Sequence, residues 1–102
     1  MIKLTEIIST AGQYDSDVGK NTISYKLRDV FVNPTHVIMM REDEDYGKKN
    51  QEQGLVSGLS KSVKFTRLNL NMGSNVTLKC TVTGTPESVM EKLLQKKKLK
   101  KY

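Results

Sequence analysis

The stretch that most constrains the fold is Val76-Thr77-Leu78-Lys79-Cys80-Thr81-Val82-Thr83, where apolar and polar residues alternate without a fault. A period of two is the pattern of a strand with one buried face, so Val76, Leu78, Cys80 and Val82 are assigned to the core side. Upstream, Met72-Gly73-Ser74-Asn75 supplies the residues that a hairpin turn with positive φ requires. The strand leading into it, Val63 to Asn71, shifts its apolar set from Val63 and Phe65 to Leu68 and Leu70, and a bulge near Thr66 is expected. Downstream, Gly84-Thr85-Pro86-Glu87 opens a helix: Thr85 is a capping residue, Pro86 suits the first turn, and Glu87 favours the positive helix end. Val89, Met90, Leu93 and Leu94 then form one apolar stripe on a helix running to about Lys98.

The preceding segments read as further strands. Met1 to Ile8 is a first strand, followed by a Gly-, Ser- and Asp-rich loop from Ser9 to Thr22. Ile23 to Leu27 alternates, and Val30-Phe31-Val32 continues it after an irregularity at Arg28-Asp29. Asn33-Pro34-Thr35 is a turn, because proline fixes φ and pushes the residue before it out of helix. His36 to Arg41 is a short strand whose centre, Val37-Ile38-Met39-Met40, is apolar on both faces, as in a central or interface strand. From Glu42 to Ser62 periodicity disappears, leaving Tyr46, Leu55, Val56 and Leu59 as anchors, and a long mobile loop of functional kind is expected. The predicted fold class is mainly β (α+β): a small five-stranded, mostly antiparallel curled sheet or barrel with one C-terminal helix. Residues 1–95 form a single domain carrying the loop at 42–62, and 96–102 form a basic tail.

A chain of 102 residues supports one domain, and its 36% hydrophobic and 27% charged residues argue against wholesale disorder. No apolar stretch approaches membrane-spanning length and no signal-type block opens the chain, so a cytoplasmic protein that does not engage membranes is expected. The formal charge is +6, yet Lys96, Lys97, Lys98, Lys100 and Lys101 supply five of those charges, leaving +1 for the rest. Glu42-Asp43-Glu44-Asp45 is an opposite, acidic run, without the glycine and alternate oxygens of a calcium loop. The lone cysteine, Cys80, shares its face with Val76, Leu78 and Val82 and reads as a core side chain; with one cysteine and one histidine, His36, neither a thiolate metal cage nor a nucleophilic triad is expected. Phosphate-loop, dinucleotide and nucleophile-elbow motifs are missing. A non-catalytic protein with no cofactor and no metal is the expectation.

Three stretches carry a resemblance: Met1-Ile2-Lys3-Leu4-Thr5, Val32-Asn33-Pro34-Thr35-His36-Val37-Ile38, and Phe65-Thr66-Arg67-Leu68 through Gly84-Thr85-Pro86-Glu87-Ser88-Val89. In order and in the closing strand-to-helix step they resemble the small flagellar FlbD family, and they are similar to short uncharacterised proteins of tailed bacteriophages with a long middle insertion. The Ser9–Thr22 and Glu42–Ser62 segments and the lysine tail depart from the flagellar pattern. The phage resemblance implies a small accessory protein acting on host machinery or host defence, in the host cell cytoplasm.

Three functions follow as expectations. The first is binding of nucleic acid, or of a host nucleic-acid machine, through the lysine tail (Lys96, Lys97, Lys98, Lys100, Lys101) and the sheet residues Lys64, Arg67 and Lys79, since lysine blocks attract phosphate by releasing counterions. The second is an oligomeric anti-defence protein that sequesters a small or cyclic nucleotide, with Arg41 and Arg67 as forked phosphate donors and Asn33 and His36 beside them. The third is a structural or flagellar-type docking part whose apolar strand pairs with a partner protein. Exposed strand edges favour a homo-oligomer under all three.

Overall fold

The computed structural model describes residues 1–10, 14–15, 20–21 and 23–99. In chain order these give β1 (Ile2–Thr10), β2 (Tyr14–Asp15), β3 (Lys20–Asn21), β4 (Ser24–Val32), a 3-10 turn (Pro34–His36), β5 (Val37–Glu42), α1 (Glu44–Gln53), β6 (Phe65–Asn71), β7 (Thr77–Thr83) and α2 (Pro86–Leu99). Five strands form one antiparallel sheet in the order β4-β1-β7-β6-β5, while β2 and β3 pair with each other. Among the described residues no helix is long and apolar enough to cross a membrane.

The sheet is open but has to coil. Its edge strands β4 and β5 are joined only by Asn33 and the 3-10 turn, yet the registers place Val37 level with Leu70 and Leu78. Carried through Glu6↔Val82, the same level reaches Thr10 and Ser24, eight residues before Val32. In a flat sheet Val32 and Val37 would lie roughly 33 Å apart, from four strand spacings and eight residue rises. Five residues reach at most about 18 Å.

Directly opposed residues share a face, so the even-numbered residues of β1, β4, β6 and β7 point to one side and the odd-numbered ones to the other. On the even side Leu4, Val32, Leu68, Cys80 and Val82 are buried together with Val89 and Leu93 of α2. Burying each such aliphatic side chain contributes about 1.5–3 kcal/mol, which is what fixes α2 to the sheet. The helix begins as the sequence implies. Thr85 Oγ1 accepts the Ser88 N–H (3.2 Å), and Gly84 takes φ +113°, where a Cβ would come within 2.7 Å of Ser88 Oγ.

Four local expectations are corrected. Ser9 and Thr10 extend β1, and β2 and β3 lie inside the expected first loop; the remainder of that segment falls outside the described residues. Pairing between β1 and β4 runs unbroken through Arg28 and Asp29, and β6 pairs with β7 without a bulge at Thr66. The apparent register switch arises because β6 buries both faces, Leu68 towards α2 and Phe65 on the odd side. A register shift does occur in β5, between Val37 and Met39.

The fourth correction is the Glu42–Ser62 segment, which holds a helix. Asp43 caps α1, its Oδ1 accepting the Tyr46 N–H at 3.1 Å, and Gly54 ends it at φ +67°. Tyr46 sits against Phe65 (5.8 Å between ring centroids) and edge-on to Tyr25 (5.9 Å), anchoring α1 to the odd face. One turn later Asn50 is fully buried. Its Nδ2 donates to the carbonyls of Ser60 (2.9 Å) and Val63 (3.2 Å), and its Oδ1 accepts the Leu55 N–H (3.2 Å). One amide side chain thus satisfies the turn backbone that returns the chain to β6.

Candidate functional site

β5 was expected at the centre of the sheet or at an interface; it is an edge strand. The Asp43 N–H donates to the Phe65 carbonyl (2.8 Å), in the same register as the Arg41↔Arg67 and Met39↔Asn69 pairs. Hydrogen-bonded and non-bonded pairs alternate in an antiparallel ladder, so the backbone N–H and C=O of Met40 and Glu42 point to the free edge. Side chains along this edge are apolar and open: Ile38 is 60% exposed and Met39 43%.

Opposite the edge stands the outer side of α2. Val89 and Leu93 face the core, which turns Met90 (46% exposed) and Leu94 (44%) towards β5. Between them lies a groove of about 350 Å³ lined by Pro34, Ile38, Met39, Met40, Met90 and Leu94, among others. Three of the chain's five methionines meet here. Methionine is flexible and polarisable and suits a surface that adapts to a partner. At the Met39–Met40 end the wall continues to Pro86 and Glu87, with Glu42 next along β5. At the Pro34–Thr35 end α2 runs on beyond Leu94 into its last turn, which carries Lys96, Lys97 and Lys98.

Among the described residues, the cations expected to bind nucleic acid, Lys64, Arg67 and Lys79, are partly occupied by carboxylates. Lys79 and Arg67 project from the odd face, as expected for Lys79, whereas α2 packs on the even face through Val89 and Leu93. Arg67 Nη2 lies 3.2 Å from the buried Asp43 Oδ2, which also accepts from Thr81 Oγ1 at 3.4 Å, so this guanidinium has a structural partner. Lys64 faces Glu42 at 3.8 Å. Lys100 and Lys101 lie outside the described residues.

The nucleotide set fares similarly. Arg41 and Arg67 are cross-strand neighbours beside a hollow of about 340 Å³, but four carboxylates, Glu42, Asp43, Glu44 and Asp45, line it with them. That balance repels phosphate. Asn33 Oδ1 accepts from the N–H (3.1 Å) and Oγ1 (2.9 Å) of Thr35 and so caps the 3-10 turn, while His36 is exposed at the end of that turn.

Cys80 is buried, as the alternation implied. Desolvation, assisted by a hydrogen bond to Glu6, pushes its thiol up to about 12, and the thiolate that a nucleophile needs is disfavoured. Among the described residues no cluster of three or more metal-ligating side chains occurs. The groove itself was not legible beforehand, because its two walls lie fifty residues apart in sequence; the methionine pairing across them was the available signal. Comparison with protein-family models, with curated proteins and with solved structures finds no match to this chain.

Proposed function

We propose that the protein is a non-catalytic docking module that accepts an extended polypeptide strand along β5, the strand's side chains filling the groove against α2. The observation that carries this reading is the coincidence of a free apolar sheet edge with a methionine-lined groove beside it. A strand added to an edge gains main-chain hydrogen bonds, and pockets for alternate side chains give selectivity. The groove is apolar where binding sites usually are and carries Glu87 at its Met39–Met40 end. This favours the docking reading over phosphate recognition, because Arg67 and Lys64 already face carboxylates.

The test is titration of methyl-labelled methionine in the intact protein with an acetylated peptide that alternates valine and threonine and carries glutamates at one end. The methyl signals of Met39, Met40 and Met90 are expected to move, and those of Met1 and Met72, outside the groove, to stay. No movement up to about millimolar peptide, a Kd weaker than roughly −4 kcal/mol, contradicts the reading.

A second reading rests on the lysine run alone. Five lysines within residues 96–101 binding single-stranded nucleic acid predict a log–log salt slope of about −3 to −4 in oligonucleotide anisotropy. Replacing all five with glutamine should abolish that slope. Binding that does not depend on salt, or no binding, removes this reading.

A further inference from the structure

The charges that the structure describes around the groove are of one sign. Glu87 lines its Met39–Met40 end, and among the described lining residues there is no lysine or arginine. On α2 the positions Glu87, Met90, Glu91 and Leu94 follow the spacing of one helix face, so two exposed carboxylates alternate with the two apolar side chains of the wall. Lys92 falls on the opposite flank, across Val89 and Leu93. On β5 the pairs Met40↔Leu68 and Glu42↔Thr66 place Met40 and Glu42 on the side that faces α2. Lys64 stands 3.8 Å from Glu42, beyond hydrogen-bonding reach, with its side chain 58% exposed, so a nearer donor can replace it. Arg41 lies on the other face, its Nη2 donating to Met39 Sδ at 3.7 Å.

We propose that the strand accepted by β5 belongs to a partner protein and is basic as well as apolar, carrying a lysine or arginine two residues before an apolar side chain. This rests on the docking reading and names the chemistry of its occupant. The register follows from the backbone. Met40 directs its N–H and C=O to the free edge, so an antiparallel guest residue opposite it exchanges both hydrogen bonds. That guest residue shares the face of Met40 and enters the groove, where an apolar side chain fits. Two residues earlier the guest meets Glu42 on the same face. A cation there has Glu42 across the ladder and Glu87 on the wall beside Met40. The guest residue between the two points to the odd face.

Charge selects the guest because backbone pairing does not. An added strand makes the same ladder bonds whatever its sequence, whereas a carboxylate at the Glu42 position meets like charge on both walls. Each exposed pair is modest alone, but exchanging a cation for an anion turns every attraction at this end into a repulsion.

The test uses three peptides, acetylated and amidated so that their ends are uncharged. Each alternates valine and threonine, and they differ only at the position two residues before the first valine, which is lysine, glutamine or glutamate. Methyl signals of Met39, Met40 and Met90 in the full chain report binding. The lysine peptide is expected to bind at least about fivefold more tightly than the glutamate peptide, with the glutamine peptide between them. In the double variant Glu42→Gln, Glu87→Gln the three affinities should fall within about twofold of one another. Both glutamates are exposed, so neither change threatens folding, and circular dichroism checks that. Equal affinities in the unaltered protein, or tighter binding of the glutamate peptide, overturn the basic partner and leave the docking reading standing. A preference that survives the double substitution overturns the placement of the cation between Glu42 and Glu87. Methionine methyl signals that shift when the protein alone is diluted make a second copy the occupant and overturn the proposal. If no peptide moves these signals up to about millimolar, the docking reading itself falls.

Discussion

At the scale of single residues, the protein uses buried polar side chains where a larger one would use more core. Asp43 is the clearest case: it caps α1, pairs with Arg67 and accepts from Thr81, with its side chain 1% exposed. Asp43→Ala removes the cap and leaves Arg67 unpaired, and because Arg67 is partly solvated the expected loss is about 2–3 kcal/mol rather than the larger cost of a fully buried pair. Glu42→Ala, which removes only an exposed 3.8 Å pair with Lys64, should cost about 0.5 kcal/mol or less. Urea unfolding of the two variants separates these outcomes, and equal midpoints would contradict the role given to Asp43. Asn50→Ala strands the Ser60 and Val63 carbonyls and the Leu55 N–H, for an expected loss of about 2–3 kcal/mol. Cys80 supplies a pH dependence. Its thiol titrates higher in the folded state than in the unfolded one, so the folded protein retains a proton that the unfolded chain loses. That contribution is complete below the ordinary thiol range and is lost as pH rises towards about 12. The urea midpoint should therefore fall more steeply above pH 9 in the unaltered protein than in Cys80→Val, and parallel curves would show that the thiol is not responsible.

At the scale of elements, the strongest determinants are the hairpin β6–β7 and the step into α2, and these were also the most legible in the sequence. Strict alternation from Thr77 to Thr83 and the Thr85 cap each state a local preference that the tertiary structure has no reason to override. Val76 and Leu78, expected on the core side, are each 51% exposed because they lie beyond the buried cluster. Gly84→Ala sets a Cβ against Ser88 Oγ at a φ that non-glycine residues avoid, and a loss of about 1–3 kcal/mol is expected in thermal or urea unfolding. A change within about 0.3 kcal/mol would show that this step relaxes freely. α1 was not legible for a physical reason. Its residues touching the rest of the fold are Tyr46 and Asn50, one aromatic and one amide, so no apolar stripe marks it. β6 misled in the opposite direction: a strand buried on both faces shows two interleaved apolar sets, which read as a bulge. The expected binding residues were chosen by charge, and charge alone does not reveal that Asp43 folds beneath Arg67 or that Asn33 is occupied in a turn. Beyond the cover of α2, the hairpin carries the apolar pair Leu70↔Leu78, with Leu78 51% exposed.

At the scale of the whole molecule, the coiled sheet ends in β4 and β5, and among the described residues it is β5 that is flanked by a helix offering a groove. The backbone of β5 records occupancy directly. Its inward amides, as at Asp43, are hydrogen-bonded to β6 whether or not anything docks, while the Met40 amide has a partner only when a strand is added. The most direct measurement is residue-resolved amide hydrogen exchange of β5 without and with about 1 mM of the alternating valine–threonine peptide. The Met40 amide is predicted to exchange at least about tenfold more slowly with the peptide present, with the Asp43 amide unchanged. A Met40 amide that exchanges rapidly and equally in both samples would contradict strand docking along β5.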